Sequence, residues 1–321
     1  MQNVTAAILH LSDLHLGKDF EDVGTRDRAD GINASSMKSV LRNRGRQLMQ
    51  SHDGYILPSL HLDVKSAARR LCAPAEEFDF CVVTGDISTD SSPEHRFAFA
   101  RKFLTERFTV REEATGQEVA VGLNFAKERL LCVPGNHDKL RSQEREAYMT
   151  GFADLPGDLS YAHAVRARAG QQFVFYGIDS NLYEEDNTAV GSVSPFTLTW
   201  LKGAFANTAG GGALGEDAVR VLLLHHHPAD LNQFRSRSFW DYVPLVHLDS
   251  FTRLREGERL LAACNGNVDI IMHGHEHFPV VFHEPISDCL VVSAGTASKF
   301  QANPHHRNSF HGLAFSGRKF E

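Results

Sequence analysis

The stretch Leu130-Leu131-Cys132-Val133-Pro134-Gly135-Asn136-His137-Asp138 decides how the rest of the chain is read. Leu130 to Val133 has the length and composition of a short buried strand, and Pro134-Gly135 ends it abruptly. An amide, an imidazole and a carboxylate follow at once. In open α/β sheets, ligands bind at the carboxyl ends of the strands. The stretch therefore reads as a strand that delivers polar groups to a binding edge.

The same succession recurs on both sides. Upstream, Ala6 to Leu11 leads into Ser12-Asp13-Leu14-His15-Leu16-Gly17, and Phe78 to Thr84 leads into Gly85-Asp86-Ile87-Ser88. On an extended segment residues i and i+2 share a face, so Asp13 and His15 address one object. Glycine at 85 lets the backbone turn sharply and bring the Asp86 carboxylate close to a cation. Downstream, Phe173 to Ile178 ends in Asp179-Ser180-Asn181, and Val219 to Leu224 ends in His225-His226-His227-Pro228. Successive imidazoles at the end of a buried strand are costly to place unless they bind something. Val268 to Met272 then ends in His273-Gly274-His275-Glu276-His277, whose alternating histidines share a face. Leu290 to Ser293 and Asn308 to Ser316 read as further strands.

Between these strands lie helix-compatible segments, from Pro93 to about Arg107, within Gly191 to Phe205, and over most of Leu245 to Asn265. Residues 109–128 read as a polar hairpin or loop. Residues 18–76 are polar and Arg-rich, with helical patterning over Met37 to Gln50 and Leu62 to Leu71. They are expected to be an insertion packed beside or over the site. The loop from Ala229 to Pro244 carries Phe234, Arg235, Arg237, Phe239 and Trp240, which suits a substrate wall or a cover on the sheet edge.

Composition sets the frame. With 321 residues, 42% of them hydrophobic, the chain can bury a large core, and 1–321 is read as a single α/β domain. A net charge of -7 weighs against a dedicated nucleic-acid binder. Of five cysteines, Cys81, Cys132 and Cys289 lie inside strand-like runs; an odd number without paired spacing fits a reducing cytoplasm. The first residues lack a charged segment followed by an apolar core, and no run approaches the roughly 18 apolar residues of a membrane span. Neither a signal peptide nor membrane attachment is expected. The 18 histidines are the outlier.

Taken in order, Asp-x-His at 13–15, Gly-Asp at 85–86, Gly-Asn-His-Asp at 135–138, His-His-Pro at 226–228 and Gly-His-x-His at 274–277 resemble the calcineurin-like metallophosphoesterase family over most of the chain. The resemblance implies a four-layer α/β/β/α sandwich of two mixed sheets flanked by helices, with the metal site at the strand carboxyl ends. It also implies ligands: Asp13, His15, Asp86 and His277 for one metal, and Asp86, Asn136, His226 and His275 for the other, with Asp86 bridging. His226 is chosen because it immediately precedes the His-Pro pair, while the triple histidine leaves the register open to His225. His273 has no implied role. His137 is implied to sit beside the substrate as a catalytic residue, and Asp138 to orient it or to cap the next helix.

Imidazole, carboxylate and amide together suit two divalent or transition-metal ions, Mn, Fe or Zn foremost, and the absence of thiolates argues against a structural zinc site. The expected activity is hydrolysis of a small phosphodiester, a nucleotide among the candidates, by in-line attack of a hydroxide bridging the two metals. Alternatives are a nuclease of the SbcD type, to which Ser-Asp-Leu-His-Leu-Gly at 12–17 is similar, a phosphomonoesterase or protein phosphatase, and a non-catalytic scaffold.

Overall fold

Strand β1 (Ala6–Leu11) is buried along its whole length, and its two faces belong to different layers. Ala6 and Ile8 point into one apolar cluster, Ala7, Leu9 and Leu11 into another. The same alternation holds in β2 (Phe80–Thr84), where Phe80 and Val82 face one side and Cys81 and Val83 the other, and in β5 (Leu130–Val133). Period-2 geometry with both faces covered explains why these strands read as unbroken apolar runs rather than as alternating ones.

The computed structural model describes residues 4–16, 56–72, 75–88, 95–111, 118–138, 148–149, 151–152, 160–181, 190–210, 217–231, 234, 253–297, 309–317 and 319–320. Between β2 and β5 a hairpin of β3 (Phe108–Arg111) and β4 (Glu118–Val121) forms a small separate sheet, as the polar segment 109–128 suggested. The second large sheet comprises β6 (Tyr161–Arg166), β7 (Gln172–Gly177), β8 (Val219–Leu223), β9 (Ile270–His273), β10 (Val280–Glu284) and β11 (Cys289–Ser293). Strands β12 (His311–Ser316) and β13 (Lys319–Phe320) return to the first.

The five-stranded sheet has the order β13-β12-β1-β2-β5, and the six-stranded sheet β10-β11-β9-β8-β7-β6. Each is mixed. β1, β2 and β5 run parallel, as do β7, β8, β9 and β11, with antiparallel strands at the edges. The sheets face each other across a core in which Phe80, Phe173, Phe175 and Phe315 meet edge-to-face or stacked, at centroid distances of 5.1–5.8 Å. Helices α1 (Ile56–Leu71) and α2 (His95–Thr105) cover the outer face of the first sheet through Leu60, Val64, Phe103 and Leu104. Helices α3 (Pro195–Gly210) and α4 (Gly257–Cys264) cover the second through Leu201, Phe205, Leu260 and Leu261. This is the expected α/β/β/α sandwich of two mixed sheets.

Two differences from the sequence reading have clear causes. Helix α1 falls within the stretch read as an insertion, yet its buried face is part of the outer layer. β6 and β10 alternate exposed and half-buried residues at the sheet edges, so neither presents the apolar run used to find the others. The helical segment 37–50 lies outside the described residues, as does most of the loop 229–244.

The ends of the strands away from the polar motifs are locked by Asp79. It accepts hydrogen bonds from the backbone N–H of Ala7 at 2.9 Å and of Arg168 at 2.9 Å, and from Arg168 Nε at 3.1 Å. Arg168 belongs to the β6–β7 turn, so one buried carboxylate joins the two sheets. No described helix is long and apolar enough to cross a membrane.

Candidate metal centre

Because β1, β2, β5, β8 and β9 all end on the same edge, the polar residues that follow them converge. The loops are tied to one another by backbone hydrogen bonds: Asp13 N to Gly85 O at 3.1 Å, His15 N to Asp86 O at 2.9 Å, and Gly274 N to His225 O at 3.1 Å. Gly274 is needed for this approach, since a Cβ there would collide with Ser12 and with the Asp13 carboxylate.

Among the described residues, the side chains form three overlapping groups whose ligand-capable atoms lie within 4.8 Å of one another: Asp13, His15 and His277; His15, Asp86 and His137; Asp86, His225 and His275. His277 Nε2 is 3.2 Å from Asp13 Oδ1. Asp86 joins the halves, with Oδ2 3.7 Å from His15 Nε2 and Oδ1 3.4 Å from His225 Nε2. The amide oxygen of Asn136 completes the second half, 2.9 Å from His225 Nε2 and 3.1 Å from His275 Nδ1.

His226 does not enter this cluster. The inward-facing residues of β8 are Val219, Val221 and Leu223, so His225 continues toward the first sheet while His226 takes the outward parity of Leu222. Its Nδ1 lies 2.8 Å from Ser180 Oγ instead. The structure thus gathers His225 where the sequence reading had preferred His226. Asp138 also stands apart. Fully buried, it accepts the backbone N–H groups of Gly135 (2.9 Å), Ile87 (3.2 Å) and Ser88 (2.9 Å), which brace the Asn136 and Asp86 loops against each other. His137 lies at the rim with its side chain 21% exposed, its Nε2 3.9 Å from Asp86 Oδ2.

Five of these residues occupy left-handed backbone: Asp13 (φ 52°), His15 (44°), Asp86 (50°), His275 (76°) and His277 (52°). Each such conformation costs ~1–3 kcal/mol in a non-glycine residue and persists only where the surroundings fix it, typically at a functional site. The electrostatics are equally strained. Burial opposes ionisation of Asp86, yet the imidazoles of His225 and His137 hold its carboxyl well below the usual range. Burial alone would lower His225, but the Asp86 carboxylate overrides it and lifts the imidazole to about 10. Burial, with His226 and His225 beside it, pushes His275 well below its ordinary value.

A family model for calcineurin-like phosphoesterases matches residues 6–279. The chain belongs to that family. Solved structures with related folds include a dimetal phosphatase from Danio rerio, at 13% identity over 97% of this chain and 93% of that chain, with a TM-score of 0.48. Another is a phosphopantetheinyl hydrolase from Mycobacterium tuberculosis, at 13% identity over 95% of this chain and 99% of that one, with a TM-score of 0.41. A putative 5'-nucleotidase from Staphylococcus aureus matches at 11% identity over 96% of this chain and 50% of its own length, with a TM-score of 0.47. No curated protein matches the chain significantly.

Calcineurin-like phosphoesterases use a dinuclear metal centre, and the residues present fit one. Two buried carboxylates among imidazoles and an amide form a donor set suited to divalent metal ions. The orientation of His225 fits too, since its Nδ1 lies 2.8 Å from the Thr84 carbonyl and must donate to it, so Nε2 is the nitrogen directed at the cluster and the one whose proton a cation would displace. Thr84 had no signal in the sequence because it acts through its backbone. Phe239 and Trp240 lie outside the described residues.

Proposed function

We propose that this phosphoesterase is a two-metal hydrolase of phosphodiesters acting on a small substrate, a nucleotide being one candidate. The observation that carries the reading is the Asp86 carboxylate, whose Oδ2 faces His15 while Oδ1 faces His225. One residue thereby serves two adjacent cation subsites. Asp13, His15, Asp86 and His277 form the first subsite, and Asp86, Asn136, His225 and His275 the second, with His225 in the place expected for His226. Bound there, two metal ions would supply Lewis-acid polarisation of the phosphoryl group and an activated water.

The protein's own groups do the rest. His137, at the rim, is placed to hydrogen-bond a phosphoryl oxygen through Nε2 or to pass a proton from Nε2 to the leaving alkoxide. Its backbone N–H donates to Asp86 Oδ1 at 2.9 Å, which fixes the loop that carries it. Asp138 ties that loop to the Asp86 loop by its contacts with the backbone N–H groups of Gly135, Ile87 and Ser88.

The choice of diester rests on charge. Two divalent cations against the two ligand carboxylates, Asp13 and Asp86, leave about +2 before the nucleophile is counted and about +1 after it, a match for a monoanionic diester in a partly desolvated cleft. With Mn²⁺ at neutral pH, bis(p-nitrophenyl) phosphate should be cleaved with a higher kcat/KM than p-nitrophenyl phosphate. The reverse order overturns the diesterase reading in favour of a phosphomonoesterase, and turnover of DNA above both would favour the nuclease.

A further inference from the structure

Three histidines stand in a row at 225–227, and only the first reaches the ligand cluster. We propose that His226, held by Ser180 and Gly191, is a positioning residue that fixes the ring of His275 in the second cation subsite. The inference rests on the metal-centre reading above and adds a residue to it.

His275 contributes its Nδ1 edge, 3.1 Å from both Asn136 Oδ1 and His225 Nε2. An imidazole ligand is ordinarily aligned by an acceptor on its other nitrogen, as the Thr84 carbonyl aligns His225. His275 has no such support, for its Nε2 is buried without a hydrogen-bond partner among the described residues. The ring of His226 lies against it instead, at a centroid distance of 4.5 Å and a tilt of 50°. His227 is farther away, at 6.3 Å.

The His226 ring is itself fixed on two sides. Ser180 Oγ lies 2.8 Å from its Nδ1 and accepts its backbone N–H at 3.3 Å. On the other side is the backbone of Gly191, where a Cβ would collide with the Cβ, Cγ and Nδ1 of His226. That segment is anchored in turn. Gly191 O accepts the N–H of Arg255 at 3.0 Å, while Ser192 Oγ and Val193 N donate to Glu256 Oε2, each at 3.0 Å. The His226 ring has nowhere to retreat, so it sets the angle at which His275 presents Nδ1. A wedge at Gly191 would move that ring without removing a single nitrogen.

The test is a Co²⁺ titration of wild type, Ser180→Ala, Gly191→Ala, His226→Ala and His225→Ala, reading stoichiometry, affinity at each subsite and the visible absorption spectrum. Thermal unfolding of each metal-free protein controls for folding. His225→Ala should bind one ion fewer. Ser180→Ala, Gly191→Ala and His226→Ala should still bind two, with the second-subsite affinity lowered roughly 10–100-fold and the spectrum altered. Ser180→Ala should remain folded, with a metal-free Tm lowered by several degrees for the loss of its buried hydrogen bonds to His226. Second-subsite affinities of Ser180→Ala and Gly191→Ala within about twofold of wild type overturn the proposal, because outer-shell partners ordinarily matter more than that. Loss of an ion in His226→Ala with both retained in His225→Ala overturns it too, by making His226 the ligand. A wild-type chain that binds fewer than two ions overturns the metal-centre reading beneath it, and the positioning role with it.

Discussion

His225 Nδ1 lies 2.8 Å from the carbonyl oxygen of Thr84, and this contact joins the two sheets at the point where the site begins. A carbonyl only accepts, so Nδ1 keeps its proton and Nε2 is the nitrogen that would give up its proton to bind a cation in the cluster. The same carbonyl accepts the Ser12 hydroxyl at 3.1 Å, which draws the loops after β1, β2 and β8 onto one atom.

Asp86→Asn removes the charge that faces both subsites. The variant should retain at most one tightly held ion, and kcat/KM should fall on the order of a thousandfold, as expected for the loss of several kcal/mol of Lewis-acid stabilisation. Elemental analysis beside kinetics checks it. Two ions and near-normal turnover in the variant would remove Asp86 from the bridging role.

Chelation should destabilise the fold, because five left-handed residues and two buried carboxylates are then held without a cation between them. Free metal at a hundred times Kd should raise unfolding stability by about 2.7 kcal/mol per site. Urea unfolding in EDTA and in Mn²⁺ measures the difference. Coincident curves would mean that no ion binds the native state preferentially.

Asp138→Asn tests the brace. Three N–H donors converge on this carboxylate. An amide offers them only one oxygen and turns an NH₂ group on the remainder, leaving a buried donor unmet. Stability should fall by ~1–3 kcal/mol, and turnover should fall because the Asn136 and Asp86 loops shift together. If stability is unchanged while kcat alone drops, Asp138 acts on the chemistry instead.

Acid should weaken the metal-free protein through His10. This residue is buried between the sheets with Nε2 2.9 Å from Thr84 Oγ1. Burial first, then the neighbouring His311 and His273, holds its pKa well below the ordinary 6.5. A depressed imidazole contributes stability that is present above 6.5 and lost as pH falls toward the folded value, with a slope of up to about 1.4 kcal/mol per pH unit for one proton. His311, lowered chiefly by burial, adds to the same limb. His10→Gln, which keeps a hydrogen-bonding group toward Thr84, should flatten the fall of stability below pH 6.5. An unchanged slope would assign the acid sensitivity elsewhere.

The sequence by itself determined the architecture and the chemical identity of the site. Short apolar runs ending in Gly-Asp, Gly-Asn-His-Asp and Gly-His-Glu-His state that buried strands carry metal-capable groups at their carboxyl ends, because only a strand covered on both faces is apolar throughout. That same continuity hid the parity of β8. In the run Val219-Arg220-Val221-Leu222-Leu223-Leu224 the single charged residue, half-buried Arg220, is the one mark of an outward face, and the four apolar residues after it leave the register of the three histidines open. Tertiary structure decided it: packing of Val221 and Leu223 against Phe80 and Phe175 turns His225 inward and leaves His226 facing Ser180. The two edge strands β6 and β10 and the bracing role of Asp138 were likewise out of reach. Exposed edges lack the apolar signature, and a carboxylate that serves backbone N–H groups from three different positions acquires its role only when those loops are brought together.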